Sequence, residues 1–490
     1  MDLGMCIGEA SPTQAVFISK TMPRSGEYVT LEYDGKTVLG MIEGLVRGSP
    51  SITEDILDPS VVERILRFEG VKEQYVRGSV HLLGDVDKLE MPKAPPPPGT
   101  KVQRADSGIL KKIFGEGSIR IGTLIAHPDV EVRVDANKMI TRHLAVLAIT
   151  GAGKSNAVSI IVEGILKLKG MPIIFDMHSE YVDAEFKAVK RVTPSFNPIY
   201  LSFYELKKLV NIDEKAYIQE RFLREAYKEA DKKIRSSSSS LVGEMIAYLE
   251  NKNEDAKALS PAEKNSVSGV IGKLDDFRDK YGGILNEHAP DILDALEQGK
   301  ANVFDLGGVD EDYADVIVSH VLRKVLRRRK KKEMPPAFCI LEEAHILAPT
   351  YRSTLSKYWI DRIAREGRKF GVGLCLVSQR PKSLDQNSLS QANNAIIMRL
   401  VEPSDQRHVQ QASERLSDDL LSQLTSLNIG EAVVLGLMTR IPALVKIDKF
   451  EGKLKGGDPD IIGEWQKSSR ERKEQVEKEQ KEIEDLYGMG

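Results

Sequence analysis

The residues best suited to chemistry form one glycine-rich stretch, Ala148-Ile-Thr-Gly-Ala-Gly-Lys-Ser155, which lies between a short apolar run and a helical apolar pattern. A loop without bulky side chains lets backbone N–H groups surround a phosphate at a helix N-terminus, where a lysine can reach the β- and γ-phosphates and a hydroxyl can bind Mg²⁺. Ala148 stands where the usual pattern has glycine, and its methyl group is tolerable if φ stays negative. The alternative is a glycine turn that merely joins a strand to a helix. We predict nucleotide binding by Thr150, Gly151, Ala152, Gly153, Lys154, Ser155 and Asn156, with Ser155 also a ligand of Mg²⁺.

Two acids end a second apolar run, which covers residues 337–341. An apolar strand that ends in two acids can place one near Mg²⁺ and the other near an attacking water. Glu342 is therefore the predicted metal ligand and Glu343 the predicted catalytic base; the alternative is an ordinary acid pair at a strand end. Asp176 ends another apolar run, and orienting water or Mg²⁺ and capping a turn are equally plausible roles for it.

Polar and basic residues flank a third apolar run at 371–378. Gln379 follows this run, and an amide at a strand tip can orient water or sense the γ-phosphate. Clustered arginines before the run, Arg368 among them, could supply a cation to the transferring phosphoryl group. A single subunit cannot easily aim such a group at its own nucleotide, so this reading predicts an oligomer with sites at subunit interfaces. The alternative is a basic helix C-terminus that complements the helix dipole.

The densest positive charge is the run 327–332, with Arg323 and Lys324 just before it. Direct contact with DNA phosphates is one interpretation, and a solvated helix end is the other. Arg352, Ser353 and Lys357 form another candidate set for phosphate contact.

The composition limits what these residues can belong to. The 490-residue chain has 70 Lys and Arg against 73 Asp and Glu, a net charge of -3, which excludes a protein that coats nucleic acid through bulk positive charge. Three cysteines exclude a disulfide scaffold and favour a reducing cytoplasm. No apolar run approaches the roughly 18 residues of a membrane span, and residues 1–12 do not resemble a signal peptide, so we expect no membrane association.

The pattern of apolar residues divides the chain into parts. Alternating stretches with an Asp34-Gly35 hairpin signal predict a small antiparallel barrel or sandwich over residues 1–99. Short continuous apolar runs, the last at 432–437, predict a parallel sheet with crossover helices over 100–450. Helical spacing at about 203–300 predicts an all-helical insertion with a serine loop at 236–240. Residues 451–490 are predicted to form a charged arm, with 464–486 as a solvated helix or an arm on a neighbouring subunit.

Four of these segments together resemble the archaeal HerA DNA translocases of the FtsK–HerA group of RecA-like motor ATPases. They are Thr-Gly-Ala-Gly-Lys-Ser at 150–155, Asp-Met-His-Ser-Glu-Tyr at 176–181, Leu-Glu-Glu-Ala-His at 341–345, and Arg-Glu-Gly-Arg-Lys with Ser-Gln-Arg-Pro between 365 and 381. The resemblance covers most of the chain and is weakest in the insertion and the tail. It implies an α/β fold: a RecA-like P-loop NTPase core with a small N-terminal β-barrel and a helical insertion.

The resemblance also implies roles for individual residues. Binding of nucleotide and Mg²⁺, activation of water and sensing of the γ-phosphate would fall to Lys154, Ser155, Glu343 and Gln379. Arg368 resembles the arginine finger that reaches into a neighbour's site, and Arg380 is its rival. Arg142, just before the phosphate-loop strand, resembles a further phosphate-sensing position.

The family further implies a homohexameric ring that uses ATP and Mg²⁺ to move double-stranded DNA through a channel. It implies a partner nuclease, NurA, which resects DNA ends in double-strand break repair. We therefore expect an ATP-driven DNA translocase or helicase. Two alternatives stay open: a related ring that moves single-stranded DNA or protein, and a nucleotide-gated scaffold that recruits a nuclease.

Overall fold

The computed structural model describes residues 2–69, 74–195, 197–234, 240–254, 259–282, 285–413, 416–454, 461–463 and 465–467. Most of the predicted serine loop and of the charged stretch at 464–486 lies outside these residues. Among the described residues, no helix is both long and apolar enough to cross a membrane.

Six antiparallel strands at the N-terminus close into a barrel, in the order β1-β2-β5-β4-β3-β6. They are β1 (Asp2–Ile7), β2 (Gln14–Ser19), β3 (Tyr28–Tyr33), β4 (Lys36–Gly48), β5 (Tyr75–Asp85) and β6 (Lys101–Arg104). The turn between β3 and β4 has positive φ at Asp34 (49°) and Gly35 (71°), which is the two-residue hairpin geometry that the Asp-Gly pair favours. The strand β6, which closes the barrel, lies just beyond residue 99.

One helix, α1 (Pro59–Glu69), lies between β4 and β5, where the sequence predicted only strands. One contact between the barrel and the core domain is made at a β-bulge in β4, at Glu43. The carboxylate of this bulged residue accepts a hydrogen bond from Ser417 Oγ (3.1 Å), and its carbonyl accepts one from Gln423 Nε2 (2.8 Å). A bulge turns one side chain away from the regular alternation, and here it directs a barrel carboxylate into the core domain.

Eleven strands of the described chain form the central sheet, in the order β11-β12-β10-β13-β14-β9-β15-β16-β17-β7-β8. They are β7 (Ile119–Leu124), β8 (Glu131–Val134), β9 (Leu144–Leu147), β10 (Pro172–Asp176), β11 (Val189–Val192), β12 (Ala301–Asp305), β13 (Ala337–Leu341), β14 (Val372–Ser378), β15 (Asn394–Ile397), β16 (Glu431–Gly436) and β17 (Ala443–Ile447). The strands from β11 to β15 in this order are parallel, and every pairing from β15 to β8 is antiparallel.

The prediction of a parallel strand for the apolar run at 432–437 is therefore wrong in direction, because β16 runs antiparallel to β15. Both faces of β16 are buried, as they are in the parallel strands beside it. Burial on two faces produces a continuous apolar run whichever way a strand points, so the run by itself does not reveal direction.

Helices cover the sheet and form the predicted insertion. Those of the core are α2 (Ser107–Phe114), α3 (Ala136–Thr141), α4 (Lys154–Lys167), α9 (Glu311–Lys330), α10 (Ala344–Leu347), α11 (Leu355–Glu366), α12 (Gln386–Ser390), α13 (Pro403–Ala412) and α14 (Asp418–Gln423). The insertion between β11 and β12 is confirmed as helical and contains α5 (Phe203–Leu209), α6 (Tyr217–Ile234), α7 (Leu241–Glu254) and α8 (Pro261–Tyr281). Both α5 and α8 begin with a Ser–Glu capping box, at Ser202 and Ser260, which satisfies free backbone groups at the helix start.

Candidate nucleotide-binding site

The glycine-rich loop joins β9 to α4 at the carboxyl edge of the sheet, the edge at which the parallel strands end. Gly151 (φ 78°) and Gly153 (φ 105°) both take left-handed conformations that other residues rarely adopt. Ala148 is buried and keeps a negative φ, so its methyl group does not disturb the loop. Free N–H groups at the start of α4 therefore face an open loop at a helix N-terminus, which is the arrangement that binds phosphate.

The loop lysine is paired with the predicted catalytic base. Lys154 Nζ lies 2.6 Å from Glu343 Oε1, and both side chains are largely buried. His345 Nδ1 lies 3.2 Å from Glu343 Oε2, and the same nitrogen is 3.2 Å from Ser378 Oγ at the end of β14. A continuous polar chain thus runs from the phosphate loop to the tip of the neighbouring strand.

The environment of Glu343 keeps its carboxylate ionised. Burial alone would raise the pKa of Glu343, but His345 and Lys154 together outweigh burial and lower this pKa to about 2. The residue also has a left-handed backbone with φ 44°, a strained conformation of the kind that concentrates at functional sites. It occupies the turn between β13 and α10, which aims its carboxylate back at Lys154.

The adjacent acid, Glu342, is fully buried, and neither of its carboxylate oxygens has a hydrogen-bond partner. Burial, together with the nearby charges of Glu180 and Asp176, raises the pKa of Glu342 well above its usual value. A buried carboxylate without a partner is costly, and a cation placed beside it would remove that cost.

Asp176 holds a loop together. Its two oxygens accept hydrogen bonds from the backbone N–H groups of Glu180 (3.0 Å), Tyr181 (2.8 Å) and Val182 (3.0 Å). These contacts match the turn-capping role that the sequence left open for this residue. They bring Glu180, whose carboxylate accepts a hydrogen bond from Ser155 Oγ, to the start of α4.

Gln379 lies at the same edge. Its Oε1 accepts a hydrogen bond of 2.6 Å from Thr150 Oγ1 in the glycine-rich loop. The Gln379 amide is thus hydrogen-bonded to the phosphate loop through the exposed side chain of Thr150.

The side chain of Asn156 contacts the protein backbone, and its predicted role in nucleotide binding stays a prediction. Its Nδ2 donates to the carbonyl of Asp448 (2.8 Å), and its Oδ1 accepts from the N–H of Phe450 (2.8 Å). The side chain therefore ties the first turn of α4 to the backbone beyond β17, and its amide is occupied by the protein.

The arginines divide between the two edges of the sheet. Arg142 immediately precedes His143 and β9, and Arg368 lies in a 3₁₀ turn before β14, so both lie at the amino edge, where these strands begin. The seven residues of β14 span roughly 20 Å, which is much longer than an arginine side chain. Neither guanidinium can reach the phosphate loop of its own subunit. Arg380 follows Gln379 at the carboxyl edge instead, where it is exposed.

Most of the basic residues singled out in the sequence are neutralised within the protein. The ion pairs join Arg323 to Glu205, Lys324 and Arg328 to Asp291, Lys330 to Glu366, Arg352 to Glu311, and Lys357 to Asp385. Arg327, Lys332 and Ser353 have no ion pair or side-chain hydrogen bond within the described residues. This pairing fits a structural role for the cluster more closely than a surface of free cations.

Sequence reasoning missed three residues of the site: Glu180, His345 and Ser378. All three belong to segments that carried the family resemblance but received no role; the segments are Asp-Met-His-Ser-Glu-Tyr, Leu-Glu-Glu-Ala-His and Ser-Gln-Arg-Pro. The motifs therefore contained these residues, but their roles depend on contacts between residues far apart in the chain.

The residues fit Mg²⁺ bound together with a nucleotide. No three acidic, histidine or cysteine side chains of the described chain converge closely enough to hold a metal by themselves. Mg²⁺ commonly binds one or two protein oxygens and takes its other ligands from phosphates and water. The Ser155 hydroxyl and the unpaired carboxylate of Glu342 supply oxygens of that kind.

Comparison with known proteins agrees with this geometry. A family model described as the HAS barrel domain matches residues 3–88, one described as the central domain of helicase HerA matches 119–325, and one described as the HerA-like C-terminal region matches 320–450. The chain is 43% identical to the DNA double-strand break repair helicase HerA of Sulfurisphaera tokodaii, over 97% of this chain and 99% of that protein. It is 40% identical to the protein of the same name from Saccharolobus solfataricus, over 96% and 97% of the two chains.

The chain belongs to the HerA family. Its fold is also shared with VirB4 of Thermoanaerobacter pseudethanolicus, with a TM-score of 0.52 at 16% identity over 69% of this chain and 98% of that one. This HerA-family chain is accordingly an ATP-hydrolysing helicase with a P-loop. The predicted fold class is confirmed.

Proposed function

We propose that this chain forms a homohexameric ring that hydrolyses ATP to move along double-stranded DNA. We further propose that the ring works with a NurA-type nuclease to resect DNA ends during double-strand break repair. The relatives in this family are named as double-strand break repair helicases, which supports DNA as the substrate.

The observation that carries the proposal is that Arg368 and Arg142 lie at the amino ends of the strands, whereas the phosphate loop lies at their carboxyl ends. A cation that cannot reach its own nucleotide can complete the site of a neighbour packed head to tail. Heterologous contacts form a ring when the rotation between neighbouring subunits closes, and we propose that it closes here. A ring needs positive charge only along its channel, which is compatible with a net charge of -3.

Within each site, the residues take separate roles. The phosphates would draw the charge of Lys154 away from Glu343, which weakens one of the two contacts that hold the pKa of Glu343 low. The carboxylate then becomes more basic and can accept a proton from the attacking water. Ser155 and Glu342 would hold Mg²⁺, which supplies Lewis-acid stabilisation of the phosphoryl charge when bound. Gln379 reports the state of the loop through Thr150.

The experiment that tests the proposal combines particle mass with ATPase rate. We expect a mass six times that of one chain, and an ATPase rate that rises with duplex DNA more than with single strands or an unfolded protein. A monomer in all conditions contradicts the ring. Stimulation by single strands or unfolded protein alone would favour the alternative cargoes.

A translocation assay on long duplex DNA separates a motor from a scaffold. We expect movement at saturating ATP and none in Lys154→Ala. If the wild-type ring binds the nuclease and duplex but does not move, a nucleotide-gated scaffold that recruits the nuclease is the better description.

A further inference from the structure

The hydroxyl of Ser155 is already engaged by an acidic side chain. Ser155 Oγ donates its hydrogen bond to Oε2 of Glu180, a residue outside the phosphate loop and outside the Glu342–Glu343 pair. A hydroxyl that gives its proton to a carboxylate turns its lone pairs in the other direction. Metal-binding side chains are commonly oriented by acidic partners in this way.

The loop that carries Glu180 is held rigidly. Three backbone N–H groups bind the buried carboxylate of Asp176, as described above. Ser179 has a left-handed backbone with φ 57°, and its hydroxyl donates to Asp305 Oδ1 at the end of β12 (2.7 Å). A loop anchored to the ends of two strands gives the Glu180 carboxylate a fixed position before any ligand arrives.

A second observation points to a cation at this place. The carboxylate of Glu342 is fully buried, and neither of its oxygens has a hydrogen-bond partner. A divalent ion bound beside this carboxylate would supply the partner that it lacks.

We propose that Glu180 is a positioning residue of the Mg²⁺ site. It holds the Ser155 hydroxyl so that the oxygen lone pairs face the cation. The inference rests on the proposed nucleotide site and assigns a role to an acid that neither sequence motif reasoning nor the family resemblance had given one.

The test measures how strongly Mg²⁺ tightens the binding of a fluorescent ADP derivative, with no turnover involved. The dissociation constant is determined in EDTA and in Mg²⁺ for wild type, for Glu180→Gln and for Glu185→Gln. Glu185 is an exposed acid five residues further along and serves as the matched control. We expect Glu180→Gln to reduce the Mg²⁺-dependent tightening by about tenfold or more, with unchanged affinity in EDTA and an unchanged control.

Ser155→Ala completes the test as a double-mutant cycle. If Glu180 acts through Ser155, the double variant loses little more Mg²⁺ dependence than Ser155→Ala alone. Should Glu180→Gln not fold, Glu180→Asp keeps the charge but withdraws the carboxylate from Ser155, and a several-fold loss is again expected.

Two results overturn the inference. Wild-type Mg²⁺ dependence in the folded Glu180 variants removes the role, and an equal loss of affinity in EDTA and in Mg²⁺ shows that Glu180 merely supports the fold. A wild-type protein that binds no ADP derivative in either condition contradicts the nucleotide site itself, which separates the two failures.

Discussion

At the scale of single residues, the two side chains proposed to act on phosphate and water contact each other. Lys154 and Glu343 pair with each other at 2.6 Å, whereas the proposed function uses the lysine for phosphate and the glutamate for water. His345 supports the glutamate from its other side, at 3.2 Å. Phosphate binding and activation of the base are therefore linked in the proposed function, because the ammonium group that contacts Glu343 would also contact the phosphates.

Two substitutions separate these roles. Lys154→Ala is expected to abolish turnover and to weaken ATP binding, because the loop loses its cation. Glu343→Gln is expected to keep ATP binding but to hydrolyse ATP at least about 100-fold more slowly, because a neutral amide cannot accept the proton of water. Nucleotide affinity and single-turnover rates measure the two effects.

Glu185→Gln, outside the site, is the matched control and should behave as wild type. Full ATPase activity in Glu343→Gln would remove this residue from the role of catalytic base.

At the scale of elements, a buried ionic cluster fastens the helical insertion to the core. Glu205 in the first turn of α5 pairs with Arg323 of α9 at 3.1 Å and lies 3.5 Å from Nδ1 of His320. Burial alone would raise the pKa of Glu205, but His320 and Arg323 lower it to about 2. The basic residue that the sequence suggested for DNA contact is thus part of the joint between α5 and α9.

Glu205→Gln is expected to destabilise the protein at neutral pH by about 3 kcal/mol, because it leaves Arg323 without its buried partner. A depressed carboxyl pKa gives stability that is present above the unfolded value of about 4.3 and is lost as pH falls towards 2. The difference in thermal midpoint between wild type and variant should therefore shrink below about pH 4. A difference that stays constant down to pH 2 would contradict this.

The joint between barrel and core depends on pH in the opposite sense. Burial raises the pKa of Glu43 to about 7, Ser417 opposes this shift, and the charge of Asp419 adds to it. A raised carboxyl pKa gives stability that is present below about 4.3 and is lost as pH rises through 7. Glu43→Gln should therefore match wild type at about pH 4 and have a higher thermal midpoint at pH 8. An equal or lower midpoint at pH 8 would show that the ionised carboxylate is well accommodated.

At the scale of the whole molecule, each proposed active site needs two subunits. The phosphate loop, Glu343 and Gln379 lie at the carboxyl edge of the sheet, whereas Arg368 lies beyond its amino edge. In the proposed ring, one chain therefore contributes the phosphate loop to one site and Arg368 to another.

Mixing experiments test this arrangement. Arg368→Ala and Lys154→Ala should each be inactive alone, but mixed rings should recover activity, because about one interface in four then joins an intact loop to an intact arginine. ATPase rate as a function of the mixing ratio is the measurement.

Arg380→Ala mixed with Lys154→Ala distinguishes the rival arginine. Arg380 lies at the carboxyl edge of its own subunit, so this mixture should gain nothing if Arg380 acts within its own chain. Recovery with Arg380 and none with Arg368 would reverse the two roles.

The sequence determined the local features of this protein. The loop at 148–155, the Asp34-Gly35 hairpin, the apolar strands and the helical insertion all follow from patterns within a few residues of each other, where backbone propensity and burial act directly. The apolar run at 432–437 shows the limit of such patterns, because its burial was evident but its antiparallel direction was not.

Only the tertiary structure decided which distant residues meet. Glu180 reaches Ser155 across 25 positions, and Lys154 reaches Glu343 across 189, because parallel strands bring their ends to one edge. The same packing places the side chain of Asn156 against backbone groups beyond β17 and pairs Arg323 with Glu205. A side chain's chemistry is set by its residue type, but its partner is set by the register of the whole sheet, and a local pattern does not contain that register.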